Sequence, residues 1–167
     1  MFTFWTHGVA VIIEFPERVA LLKRAGWGTL VEQAPDPPGL GNNWFHFALH
    51  TPTILAERFY DAIPSLLLPA HEGSIRIVAD ANVNARISEV HLRMGDRIIF
   101  NRTVDLRGPR IDYSADIWER GTPRRWPTSG PEAGLALCLR VEFGNGSPRG
   151  QITFRSAGVK YPHLNVL

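Results

Sequence analysis

The strongest constraint in this sequence is the alternation of apolar and polar residues from 135 to 143. Every odd-numbered residue of the segment is apolar, and Cys138, Arg140 and Glu142 stand among the even-numbered ones. Side chains alternate between the two faces of a β-strand, so one face of this segment meets a core and the other faces outward. The turn-rich residues 144–150 follow, and residues 151–155 alternate again with Ile152 and Phe154 inward. The pattern predicts two strands joined in a hairpin.

A second hairpin is predicted around Gly95-Asp96. Residues 89–94 alternate, and residues 97–101 supply the return strand. Glycine at the first turn position suits a type II′ connection. Further strands are expected at residues 9–15, 44–50, 66–68, 74–79 and 113–119, and the only helical candidate is 53–62.

Seven to nine short strands with turn signals between them are typical of a sandwich or jelly roll. The 13 prolines and 15 glycines favour such a fold over a helical one. Two Pro/Gly-rich stretches, residues 34–41 and 120–134, are interpreted as surface loops and not as linkers. We therefore expect an all-β, single-domain, two-sheet antiparallel β-sandwich, jelly-roll-like, over residues 1–167.

Several short motifs occur in order over most of the chain. They are Phe4-Trp5-Thr6-His7-Gly8, Gly26-Trp27-Gly28, Asn43-Trp44-Phe45-His46-Phe47, Thr51-Pro52-Thr53, Val90-His91-Leu92 and Phe154-Arg155-Ser156-Ala157-Gly158. Together they resemble a family of small, uncharacterised, mainly bacterial proteins, a domain of unknown function. The chain departs from that pattern between residues 63 and 84, where it is longer, and at Val159-Lys160-Tyr161. The resemblance implies a β domain over the whole chain and no particular activity.

The charge is nearly balanced overall but uneven along the chain. There are 18 basic and 16 acidic residues, a net charge of +2. Residues 1–82 hold five basic and eight acidic residues, and residues 83–167 hold 13 and eight. Such asymmetry suits head-to-tail contact between copies, although scattered surface charges also sum this way by chance.

Cysteine usage and the N-terminal sequence bear on compartment. With Cys138 alone, no intrachain disulfide and no paired-cysteine metal site is expected. The start of the sequence lacks the pattern of a signal peptide, and no apolar run is long enough for a membrane helix. The expectation is a cytoplasmic protein by default, without membrane insertion and with unconventional export left open.

The histidines are the first candidates for a metal site. His46 and His50 share one face of a strand but lie about 13 Å apart at roughly 3.3 Å per residue, so they cannot bind one metal together unless the strand breaks. His7 and His91 remain possible companions in space. The alternative is that His7 hydrogen-bonds a turn and the others line a half-exposed sheet face.

Catalytic and nucleic-acid signatures are missing from the sequence. There is no nucleophile elbow, no Cys with an obvious His partner, no spaced carboxylate pair and no phosphate-binding glycine loop, and no cofactor is expected. Sandwiches assemble sites from distant loops, so an enzyme stays an open alternative. The basic residues between 107 and 125 are offset by neighbouring carboxylates, which argues against nucleic-acid binding.

The five tryptophans are the most suggestive feature. Trp27 and Trp126 stand in turn-like contexts where an aromatic ring is easily exposed, whereas Trp5 and Trp44 are expected in the core. Trp and Arg are common anchors of binding interfaces. We therefore predict partner or ligand contacts at Arg124, Arg125, Trp126 and Trp27.

Two functions follow from these observations. The first is a non-enzymatic interaction module that associates with itself as an oligomer or filament, or binds a protein partner, because open sandwiches have edges to cover. The alternative is a sandwich that binds carbohydrate or another ligand through exposed tryptophans.

Overall fold

The structure is a computed structural model that describes residues 2–35, 41–49, 73–117 and 134–161. Within these ranges the chain forms eleven strands and two short 3₁₀ helices, at Gly8–Ala10 and Pro16–Arg18. The strands are β1 Phe2–His7, β2 Ile12–Ile13, β3 Val19–Ala25, β4 Gly28–Gln33, β5 Asn42–Leu49, β6 Ser74–Ala81, β7 Ala85–Met94, β8 Arg97–Leu106, β9 Ile111–Asp116, β10 Leu135–Phe143 and β11 Gln151–Tyr161. Among the described residues, no helix is long and apolar enough to cross a membrane.

The strands form two antiparallel sheets. Sheet 1 has the order β3-β4-β11-β6-β9, with β1 paired to β11 beyond the end of β4, and sheet 2 has the order β2-β5-β10-β7-β8. Strands β4 to β11 follow the jelly-roll arrangement, with 4-11-6-9 in one sheet and 5-10-7-8 in the other, so that consecutive strands change sheet except at the β7–β8 hairpin. The predicted all-β, two-sheet, jelly-roll fold is confirmed.

The core lies between the sheets and is built around aromatic rings. Phe154 of sheet 1 packs against two rings of sheet 2, with its centroid 4.8 Å from that of Phe45 and 5.6 Å from that of Phe47. Leu137 and Leu139 of β10 are fully buried beside them. The inward face predicted for residues 135–143 is therefore confirmed.

The hairpin predicted between residues 135–143 and 151–155 is wrong. Strand β10 pairs with β5 and β7, whereas β11 pairs with β1, β4 and β6 in the opposite sheet. The loop that joins them crosses the end of the sandwich, where Asn84 donates to the carbonyl of Pro148 and Asn82 accepts from the amide of Gln151. Both strands alternate because each sheet has an inner face, so alternation alone did not identify the partner strand.

The hairpin around Gly95 is confirmed and extends beyond the predicted limits, since β7 and β8 each have ten residues. Gly95 has a φ of 57°, and no described non-glycine residue has a positive φ, which fits the predicted type II′ turn. The strand predicted at 9–15 is reduced to β2, because residues 8–10 form a 3₁₀ helix capped by His7. The predicted segments 53–62 and 66–68 lie outside the described residues.

Candidate ligand-binding face

Trp5 stands on the outer face of sheet 1, not in the core as predicted, and is 44% exposed. The orientation follows from its neighbour Thr6, whose hydroxyl donates to the Ala48 carbonyl of sheet 2 and therefore faces inward. Adjacent residues of a strand face opposite ways, so Trp5 faces solvent. The large aromatic ring of Trp5 therefore lies on the exposed outer surface of sheet 1.

The neighbouring strands leave a gap beside this ring. Trp5 pairs across the sheet with Gly158, which in turn pairs with Arg76 of β6. Glycine puts no side chain between them, and the Arg76 guanidinium lies 5.7 Å from the centroid of the Trp5 ring. This distance is within the range of a cation–π contact.

Arg76 is held in place by Asp112 of β9. Its Nε and Nη2 atoms donate to the two carboxylate oxygens at 2.7 and 2.6 Å, a bidentate pair that leaves the Nη1 amino group outside the ion pair. These hydrogen bonds, followed by the charge of Arg76, hold the pKa of the Asp112 carboxyl below its usual value of 3.8. The same pairing raises the pKa of Arg76. Both groups are consequently charged at neutral pH and present polar atoms at fixed positions beside Trp5.

Trp27 lies at the tip of the β3–β4 hairpin and is also 44% exposed, as the sequence suggested. His7 fixes this tip against the end of β1, because its Nδ1 accepts from the Val9 amide and its Nε2 lies 3.1 Å from the Gly26 carbonyl oxygen. His7 therefore hydrogen-bonds a turn, which is the structural role expected for it. The hairpin tip is thereby anchored next to the strand that carries Trp5.

The junction of β1 and β4 requires glycine at two positions. Both strands pair with the same edge of β11, and they meet at a bulge between Phe154 and Ser156. A Cβ atom at Gly8 would lie 1.9 Å from the Phe154 carbonyl oxygen, and one at Gly28 would lie 2.1 Å from it. Because neither glycine has a side chain, the residue after β1 and the first residue of β4 can both lie against the Phe154 carbonyl.

The outer face of sheet 2 carries the other ring predicted for the core. Trp44 faces outward there and is half-buried, with its ring centroid 4.8 Å from that of His91. His46 and His91 line this face as expected, and their Nε2 atoms lie 3.0 Å from Glu14 and 3.1 Å from Glu89. The rings of this face contact neighbouring side chains, and Trp44 is less exposed than Trp5.

Cys138 lies between His46 and His91 in the strand register, although no histidine partner for it was obvious from the sequence. The thiol is buried, and burial raises its pKa. Over the ranges that the structure describes, no group of three or more His, Cys, Asp or Glu side chains is arranged to hold a metal ion. The thiol of Cys138, between the two histidines, is therefore protonated and has a packing role.

Of the four contact residues predicted from the sequence, the structure describes Trp27. Arg124, Arg125 and Trp126 lie outside the described residues, so self-association through them stays a prediction. Sequence reasoning missed the cluster of Trp5, Arg76 and Asp112. The motif Phe154-Arg155-Ser156-Ala157-Gly158 contains the glycine of this cluster, but nothing in the sequence shows that Gly158 lies opposite Trp5.

No protein-family model matches the chain, and no curated protein matches it. Solved structures give partial likenesses. One, described as "CBM4 structure and function", has a TM-score of 0.49 and 6% identity, covering 91% of this chain and 95% of the other. A Stig cyclase from Fischerella sp. TAU has a TM-score of 0.46 and 12% identity, covering 95% and 89%. The CBM36-1 domain of a multidomain xylanase from the hindgut metagenome of Trinervitermes trinervoides has a TM-score of 0.39 and 7% identity, covering 96% and 99%. At these TM-scores the likenesses carry no functional inference.

Proposed function

We propose that the protein is a non-enzymatic carbohydrate-binding sandwich whose ligand lies on the outer face of sheet 1. The observation that carries the proposal is the cluster of Trp5, Gly158 and Arg76. An exposed indole ring stands beside a residue without a side chain, next to a guanidinium that Asp112 holds at two points.

The chemistry of this cluster matches that of a sugar. The C–H groups on one face of a pyranose ring form an apolar surface that stacks on an indole, while its hydroxyl groups need donors and acceptors at the edge. Trp5 offers the apolar surface, and the Arg76–Asp112 pair offers the donors and acceptors, since both side chains are about half exposed. The groups are fixed before the ligand arrives, which reduces the entropy lost on binding.

The proposal predicts that Trp5→Ala weakens glycan binding by about thirtyfold, the effect of losing roughly 2 kcal/mol from a tryptophan anchor. The measurement is affinity gel electrophoresis of the wild type and the variant in cellulose derivative, β-glucan, xylan, mannan, pectin and alginate. Trp44→Ala is the matched control, because it removes an indole from the outer face of the other sheet. Its affinity should stay within about twofold of the wild type.

Two results would contradict the proposal. One is a wild-type protein that none of these polysaccharides retards. The other is an equal loss in the Trp5 and Trp44 variants, which would remove the outer face of sheet 1 from the site. Thermal unfolding of each variant checks that the fold is intact.

A further inference from the structure

The second exposed tryptophan lies close enough to the first to act on the same ligand. Thr29 pairs with Phe154 and Trp5 pairs with Gly158, so both lie on the same edge of β11, four residues apart along it. Trp27 precedes Thr29 by two residues in the direction of Trp5. At about 3.3 Å per residue, with the lateral offset of the turn, the Trp5 and Trp27 backbones are on the order of 10 Å apart.

The backbone segments that carry Trp5 and Trp27 are held together. The 3.1 Å contact between His7 and the Gly26 carbonyl ties the hairpin tip to β1, and Gly28 lies against the Phe154 carbonyl. Each indole is 44% exposed. Two exposed aromatic side chains therefore extend from neighbouring segments of sheet 1 whose backbones are held together.

We infer that the ligand is an extended oligosaccharide or polysaccharide chain, with Trp5 and Trp27 stacking on two different sugar units. This inference rests on the proposed function and adds a second subsite to it. Two linked platforms raise affinity because the second contact forms within an already bound chain. A monosaccharide contacts one platform and gains nothing from the other.

The chain-length dependence of affinity tests the inference. Isothermal titration uses oligomers of two to six units made from each polysaccharide that retards the wild type. Affinity should rise by at least about tenfold between the shortest and the longest oligomer. Trp27→Ala should remove this rise, weakening six-unit binding at least fivefold while leaving the shortest oligomer within twofold, and Trp27→Tyr should restore most of it.

Val83→Ala is the matched control, since Val83 is a 79% exposed apolar residue on the β6–β7 turn. It should bind every oligomer as the wild type does. Affinity that does not depend on length, or six-unit binding that Trp27→Ala leaves unchanged, would overturn the inference while the Trp5 site stands. Loss of the Trp5 requirement would instead overturn the proposed function itself.

Discussion

Truncating Phe154 to alanine is expected to lower the free energy of unfolding by about 3–5 kcal/mol. The ring is 1% exposed and packs between Phe45 and Phe47 of the other sheet. Its removal costs the transfer free energy of the ring and leaves a cavity that two sheets held by backbone hydrogen bonds cannot close. Urea denaturation followed by far-UV circular dichroism measures the change.

The control is Ile98→Ala, because Ile98 is 48% exposed on β8. Substitutions of this kind usually change stability by no more than about 0.5 kcal/mol. A loss below about 1 kcal/mol for Phe154→Ala would mean that β11 does not face the core as described. The packing of the two sheets on each other would then be wrong.

Gly28→Ala is expected to lower the free energy of unfolding by about 3 kcal/mol, from overpacking and backbone strain together. The new Cβ would lie 2.1 Å from the Phe154 carbonyl oxygen, and the residue has a φ of +138°, which L-residues rarely adopt. Neither problem can be relieved by rotating a side chain. The strain should also displace the hairpin tip that carries Trp27.

Gly26→Ala, two residues away in the same turn, provides the comparison. A Cβ there meets no atom within 4 Å, so its stability should stay within about 1 kcal/mol of the wild type. Thermal and urea denaturation of both variants test the pair. Equal stability of the two variants would contradict the described junction of β1 and β4.

Strands in which apolar residues alternate with polar ones were the predictable part of this fold. Residues 135–143 and the hairpin at Gly95 were found because their side chains alternate between core and solvent. Strand β3 was missed because most of it is exposed on both faces, with Leu21 and Leu22 about 40% exposed at consecutive positions. An edge strand of this kind has no alternation to detect.

The candidate site was less predictable than the fold because it depends on pairing between distant strands. Arg76 and Asp112 are 36 residues apart, and only the pairing of β6 with β9 brings them together. Trp5 was expected in the core, but it is the smaller Thr6 that faces inward, where its hydroxyl hydrogen-bonds the opposite sheet. The exposure of Trp27 was predictable, since glycine flanks it on both sides and marks a turn.

Stacking of a sugar chain on Trp5 at the outer face of sheet 1 can be observed by nuclear magnetic resonance. A six-unit oligomer of the best-binding polysaccharide is titrated into ¹⁵N-labelled protein with assigned amide and indole signals. We expect the signals of the Trp5 indole and of the Gly158 and Arg76 amides to shift together, while those of the Cys138 amide and the Trp44 indole on the other sheet do not. Shifts confined to the outer face of sheet 2 would contradict it.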